Sequence, residues 1–409
     1  MTLRNQNTKN NEAPLKAVRS RPAFRTADPC VDVFFAMLVV TVILGLFLWN
    51  NFYVAAKPEL VLVQVLFRHG LRTPLEVYPT DLNLELWPKD LGSLTDEGRL
   101  QQKHLAQFLK QRYHDFLNDT YDKSQIHVRS SNKSRTIESA KINLRETFKG
   151  PHNEIWPEIE TVDYKTDYLL NARSECKRRK ELWSLFKEAP EYKETEKQYA
   201  NLLANLSKHA KMEIDLDNYW VVEELTEIEL QLNKPIPLWV KDNYKELKAL
   251  DHRVLNFTNG FSLSPYKNVD FSLEILKVVG GPIWSDIINR TEAKIKSVRE
   301  KVDDHLRYYV YSGHDMIISA IFGMLGGKMN LDKDGYPGPA SCLIFELWMD
   351  KHGDPTLKIF YRDDKGTVTN VLKHLHKETL SWKQLKENTD IYLPDKGIKQ
   401  YCHESLKHK

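Results

Sequence analysis

Cysteine is scarce. The chain has four cysteines in 409 residues, Cys30, Cys176, Cys342 and Cys402, and no C-x-x-C pair. That spacing argues against a zinc ribbon or a redox motif. A large charge of either sign is missing too. The 59 Lys and Arg against 56 Asp and Glu leave a formal net charge of +3, too little to suggest a nucleic acid partner. No internal repeat is visible. What remains is 41% hydrophobic and 28% charged, an ordinary globular composition. The length allows one large domain or two intimately joined ones.

The one long apolar run lies near the N-terminus. Residues 1–33 carry Arg4, Lys9, Lys16, Arg19, Arg21 and Arg25 against Glu12, Asp28 and Asp32, and read as a basic disordered tail. Phe34 to Trp49 then holds no charge, and only Thr41 is polar. Residues 34–56 are long enough to cross a bilayer as a helix, and the basic flank predicts a cytoplasmic N-terminus. Two readings compete: a single-pass signal anchor, or a signal peptide cleaved near Ala56 after Val54-Ala55-Ala56. The long tail and the apolar length favour the anchor. Either way the chain from about residue 57 lies in an exocytoplasmic space. The sequons at Asn118, Asn205, Asn256 and Asn289 agree with that; a fifth, Asn132, falls in a loop assigned below to the active site.

The chain is organised around Leu66-Phe67-Arg68-His69-Gly70-Leu71-Arg72-Thr73-Pro74. Leu60 to Phe67 is apolar except for Gln64 and ends at a turn signal, which predicts a buried strand of an α/β sheet. Arg68, His69 and Arg72 then fall past the strand's carboxyl end, where open α/β sheets bind ligands. Two guanidiniums beside an imidazole can grip a phosphate dianion with paired donors. They also suppress imidazolium formation, so His69 stays neutral and nucleophilic. Gly70 is expected to let the backbone approach the ligand. Thr95 predicts a helix N-cap, with Asp96 and Glu97 at the positive helix end. Ile126 to Val128 predicts a second strand, and Ser130 or Ser131 can cap the helix that runs to Phe148. Arg129 falls at that strand end beside a helix N-terminus, a seat for an anion. Leu306 to Tyr311 predicts a third strand, followed by His314-Asp315 and another helix. Phe271 to Ile288 reads as one helix, Leu343 to Met349 and Ile359 to Arg362 as a hairpin.

The Arg68-His69-Gly70-x-Arg72-x-Pro74 stretch resembles the signature of the histidine acid phosphatases, with every fixed position filled. Leu94-Thr95-x-x-Gly98, Arg129-Ser130 through Arg135-Thr136, Gly280-Gly281-Pro282 and His314-Asp315 resemble further segments of that family. The resemblance implies an α/β fold with a mixed central sheet flanked by helices. Residues 57–150 and 266–409 would form that core, and residues 151–265 an inserted, mostly helical cap. It implies hydrolysis of small phosphomonoesters through a covalent phosphohistidine. His69 would be the nucleophile and Asp315 the general acid, with Arg68, Arg72, Arg129 and His314 on the phosphate. Arg135 matches the family's second arginine there, and a structural salt bridge is an equal reading for it. The resemblance also implies a Cys176–Cys402 disulfide and leaves Cys342 free. No metal or other cofactor is expected, since arginines supply the positive charge, and a homodimer is compatible with the family. The catalytic domain would face the lysosomal lumen or the extracellular space. A phytase-like or inositol-phosphate phosphatase is the alternative within the same chemistry. The related phosphoglycerate mutases do not rely on a His-Asp pair, and a non-catalytic ectodomain would not need His69 and Asp315.

Overall fold

The computed structural model describes residues 37–44, 57–148, 157–261, 263–326, 336–375 and 379–406. The chain divides into two compact units, Met1–Ala56 and Lys57–Lys409. In the first, residues 37–44 are an exposed helix in which the Thr41 hydroxyl donates to the Met37 carbonyl at 2.8 Å. Among the described residues no helix is long and apolar enough to cross a membrane. The basic tail, and residues 34–36 and 45–56 of the apolar segment, lie outside the described residues.

The second unit is an α/β fold around a mixed sheet. Strands β1 (Glu59–Arg68), β2 (Ile126–Ser130) and β3 (Tyr308–Gly313) are parallel. Strands β4 (Cys342–Met349), β5 (Pro355–Arg362), β6 (Val368–Asn370) and β7 (Leu380–Ser381) complete it by antiparallel pairing. The order is β2-β3-β1-β4-β5-β6, with β7 also on β5. The apolar run of β1 is explained by burial on both faces. Leu62 and Leu66 enter one cluster, with Ile283, Trp284 and Ile317. Val63, Val65 and Phe67 enter the other, with Leu105, Leu109, Ala140 and Leu144. Each such side chain contributes about 1.5–3 kcal/mol on full burial. Gln64, the polar exception, donates to the Ile287 carbonyl at 3.2 Å and to the Thr291 hydroxyl at 3.0 Å.

Helices α1 (Asp96–Arg112) and α2 (Ser134–Thr147) cover one face. Five helices follow: α3 (Lys177–Phe186), α4 (Pro190–Gln198), α5 (Ala200–Ala210), α6 (Trp220–Gln231) and α7 (Leu238–Thr258). They share a third apolar cluster that includes Leu185, Leu206, Leu225 and Leu250. Then α8 (Phe271–Val279), α9 (Gly281–Glu300) and α10 (Asp315–Met324) follow, the last two packed on the sheet's second face. Near the C-terminus lie α11 (Trp382–Thr389) and α12 (Ile398–His403).

The single helix expected over Phe271 to Ile288 is two. Pro282 has no N–H to continue the ladder, and it falls at a first-turn position, where that lack costs nothing. Both glycines at the break are demanded by packing. A Cβ on Gly280 would meet the Met324 sulfur at 2.5 Å, and one on Gly281 the Tyr392 carbonyl oxygen at 2.6 Å. Cys176 and Cys402 form a disulfide, with Cα atoms 4.7 Å apart, and join α3 to α12. Cys342 is free and fully buried on β4, and burial pushes its thiol up to about 12.

Candidate active site

The parallel register of β1 and β3 places the two chemical motifs side by side. Arg68 pairs with Gly313 at the end of the ladder, so His69 and His314 leave the sheet at the same edge. Beyond that edge the connections diverge. The chain leaving β1 goes to the face covered by α1 and α2; the chain leaving β3 goes to the α9–α10 face. The divergence opens a crevice, as at the switch point of other open α/β sheets.

The loop after β1 is clamped by the start of α1. The Thr95 hydroxyl caps the helix, accepting from Gly98 N at 3.0 Å, and Thr95 N donates to the Leu71 carbonyl at 3.0 Å. Gln102 donates to the Arg68 carbonyl at 2.9 Å, and Leu71 N donates to Gln101 Oε1 at 2.8 Å. A Cβ on Gly70 would lie 2.1 Å from the Gly98 oxygen, and one on Gly98 would lie 2.0 Å from the Leu71 oxygen. Gly70 lines the cavity, and its missing side chain also admits helix α1.

His69 is 3% exposed. Its Nδ1 lies 2.8 Å from the Gly70 carbonyl oxygen. A carbonyl only accepts, so Nδ1 carries the proton and Nε2 keeps its lone pair. The His314 ring lies edge-on to it, with centroids 5.5 Å apart. Burial, then Arg135, Arg68, His314 and Arg72, hold the His69 pKa well below the usual range. Burial and Arg135 bring His314 to about 3. Both imidazoles thus resist protonation more than a free histidine does. Burial works against ionisation of Asp315, but Arg68 at 3.0 Å outweighs it, aided by His314, and holds its carboxyl below the usual value.

Ser130 and Ser131 do not cap α2. Lys133 stands at the N-cap without a side-chain bond. Ser131 Oγ instead lies 2.9 Å from His314 Nε2 and 2.9 Å from Thr136 Oγ1. Nothing in the sequence pattern distinguishes this role from a cap.

Six arginines stand near the crevice: Arg68, Arg72, Arg135, Arg173 and Arg179 line its cavity, and Arg129 does not. Arg68, Arg72 and Arg135 line a cavity of about 880 Å³ together with His69, His314 and Asp315. The Nε atom of each of the three is buried without a hydrogen-bond partner. With Arg179, whose Nε is likewise buried without a partner, four such cationic donors line one cavity, and they fit an anion. Burial and Arg72 lower Arg135 to about 10, so it remains a cation at acid pH. Arg129 does not line the cavity. It is 3% exposed, pairs with Asp167 at 2.8 Å and lies 3.8 Å from Glu160. The strand end carrying Arg129 faces the segment before α3, which supplies both carboxylates. The crevice therefore brings together Arg68, His69, Arg72, His314 and Asp315 as expected, replaces Arg129 with Arg135, and adds Ser131 and Glu224. Glu224 takes both terminal nitrogens of Arg72.

The model of the histidine phosphatase superfamily (branch 2) matches residues 59–362. Bovine lysosomal acid phosphatase is 30% identical over 313 residues, covering 74% of this chain and 70% of that protein. Human testicular acid phosphatase is 31% identical over 336 residues, covering 76% and 74%. Human prostatic acid phosphatase is 29% identical over 334 residues, covering 78% and 81%. Among solved structures, the Hafnia alvei phytase in complex with tartrate has a similar fold: TM-score 0.62, 16% identity, 83% of this chain and 98% of that one.

Proposed function

The chain belongs to branch 2 of the histidine phosphatase superfamily, and from that premise we propose that it is an acid phosphatase with a phosphohistidine intermediate. The observation that carries the residue assignment is His69, with Nδ1 on the Gly70 carbonyl and Nε2 free, beside the unpartnered Nε donors of Arg68, Arg72 and Arg135. His69 Nε2 attacks phosphorus in line, and the bond to the leaving oxygen breaks as the N–P bond forms. Arg68, Arg72 and Arg135 hold the equatorial oxygens and stabilise the charge spreading over them. His314, held by Ser131 Oγ through Nε2 at 2.9 Å, completes the phosphate site. Asp315 protonates the leaving oxygen, then takes a proton from the water that cleaves the phosphohistidine. In the empty site Arg68 keeps Asp315 ionised. A phosphate on Arg68 competes for that guanidinium and adds negative charge, so both effects raise the proton affinity of Asp315. The guanidiniums supply the positive charge that a metal gives in other phosphatases, and EDTA should leave turnover intact.

The test is rapid quenching with labelled p-nitrophenyl phosphate. His69→Ala should abolish the phosphoenzyme and turnover for every substrate. Asp315→Asn should still form phosphoenzyme from this good leaving group, but lose about a hundred- to ten-thousand-fold on an alkyl phosphate. Equal losses on both substrates would remove Asp315 from the role of acid.

A phytase-like preference is the second reading. It calls for a basic wall opposite the nucleophile, whereas the lining here is mixed: α6 brings Glu223, Glu224 and Glu227 beside Arg173, Arg179, Lys248 and Lys365, and Lys248 pairs with Glu223 and Glu227 at 2.8 and 3.2 Å. The first reading is preferred because the relatives at 30% identity or more are named acid phosphatases, with residues 151–265 as the cap that shapes the leaving-group side.

The relatives' names include lysosomal and prostatic acid phosphatases, and the Cys176–Cys402 bridge suits an oxidising compartment. We place the catalytic unit in a lysosomal or extracellular space, anchored through residues 34–56. The exposed sequons Asn118, Asn256 and Asn289, and the half-buried Asn205, are open to glycans there. Alkaline carbonate washing should leave the protein in the membrane pellet; a soluble product starting at Lys57 would establish cleavage instead.

A further inference from the structure

Glu224 has no counterpart in the motifs that mark the site, yet it makes the closest polar contacts to Arg72. It sits on α6, whose cavity side carries Trp220, Glu223, Glu224, Glu227 and Ile228, spaced as one helix face. Its carboxylate takes Arg72 end-on. Nη1 donates to Oε2 at 3.0 Å and Nη2 donates to Oε1. Oε2 also accepts from Leu75 N at 3.2 Å, which fixes the carboxylate to the loop after β1. Nη1 gives its second hydrogen to the Thr73 carbonyl at 3.1 Å.

A guanidinium has five N–H donors in a rigid plane. Glu224 and Thr73 occupy three of them. The Nε–H, buried without a partner, and the second hydrogen of Nη2 remain. These two lie on one edge of the plane, the edge that meets two oxygens of a phosphate side-on. The side chains of Arg72 and Glu224 are 9% and 23% exposed, so solvent screens the pair weakly.

We propose that Glu224 is a positioning residue, which holds Arg72 so that its side-on edge faces the phosphate and whose charge selects against polyphosphorylated substrates. The proposal rests on the acid phosphatase reading. With Glu224 on one edge of Arg72, a single phosphate completes the guanidinium. A second phosphate carried on the leaving group toward Glu224 meets a carboxylate, while Glu223 and Glu227 beside it are paired with Lys248, which also lines the cavity. The substrate class is therefore the ester with one phosphate and an uncharged leaving group.

The experiment uses the full chain. kcat/KM is measured on p-nitrophenyl phosphate, and Ki values are measured for inorganic phosphate and myo-inositol hexakisphosphate as competitive inhibitors. Glu224→Gln replaces one acceptor oxygen with an NH2 group that opposes an Arg72 N–H, at nearly equal volume. It should lower kcat/KM by about tenfold to a hundredfold. The ratio of the phosphate Ki to the hexakisphosphate Ki should rise several-fold. Glu224→Asp keeps the charge but withdraws it by one methylene; it should lose kcat/KM while leaving the Ki ratio as in the wild type. That ratio does not depend on how much of a variant is folded, so a loss of folded protein cannot imitate the result. An unchanged kcat/KM in Glu224→Gln, or an unchanged Ki ratio, overturns the proposal. A wild type that cleaves no phosphomonoester refutes the phosphatase reading instead.

Discussion

Arg129 and Arg135 belong to one motif and do different work. Arg135 stands in the first turn of α2 and reaches the cavity with a free Nε. Arg129 ends in a buried pair with Asp167, the two side chains 4% and 1% exposed. Asp167 in turn accepts from Leu169 N and Leu170 N, so the pair ties the segment before α3 to the sheet. The sequence placed both arginines near a strand end and a helix start, which suits an anion in either case. It could not show that a carboxylate 38 positions further on would claim Arg129. The two variants should therefore separate. Arg135→Ala should lower kcat/KM by about a hundred- to a thousandfold while unfolding stays near that of the wild type. Arg129→Ala leaves Asp167 as an uncompensated buried charge and should cost about 3–5 kcal/mol in urea unfolding. A stable, inactive Arg129→Ala would return that residue to the phosphate.

At the level of elements, what was legible is what local chemistry decides. The apolar run ending at Arg68, the Thr95 cap with its acidic first turn, and the strand–turn–helix around His314 need only neighbours in the chain. What depends on a partner far away was not legible. Gly70 and Gly98 lack side chains because β1's loop and α1 meet there, and either glycine alone reads as a turn or a helix end. The break between α8 and α9 was read through, because Phe271 to Ile288 keeps a helical apolar period and Pro282 is tolerated in a first turn. Glu224 had no signal: one carboxylate on an acidic helix face looks like solvated surface until Arg72 is placed beside it.

For the whole molecule, the buried histidines link stability to acidity. Burial holds His69 below its ordinary value and His314 at about 3, against about 6.5 in the unfolded chain. Below pH 6.5 the unfolded chain binds protons that the folded one refuses, so stability falls as pH falls. The window for His314 runs from about 6.5 down to about 3. Asp315, whose folded value is lowered, adds its own loss only below the ordinary carboxylate range. Each histidine contributes up to about 1.4 kcal/mol per pH unit. Urea unfolding of ligand-free protein at pH 7, 6, 5 and 4 should show this decline, and His314→Asn should flatten it. A slope unchanged by that substitution would mean His314 is protonated in the folded state. The resistance to protonation that keeps a nucleophile's lone pair on His69 is thus the same property that weakens the empty enzyme in acid.

The Cys176–Cys402 bridge spans 226 residues of sequence, and that distance is also a delay. On a ribosome adding about 5–20 residues per second, Cys176 emerges roughly 10–45 seconds before its partner. Cys342 is made in the interval. Its place in β4, opposite Phe67 on β1, removes it from competition once the strand pairs. Pairing of β4 with β1 before Cys402 arrives would keep Cys176 for its partner, so the central strands can act as guardians of the disulfide as well as its beneficiaries.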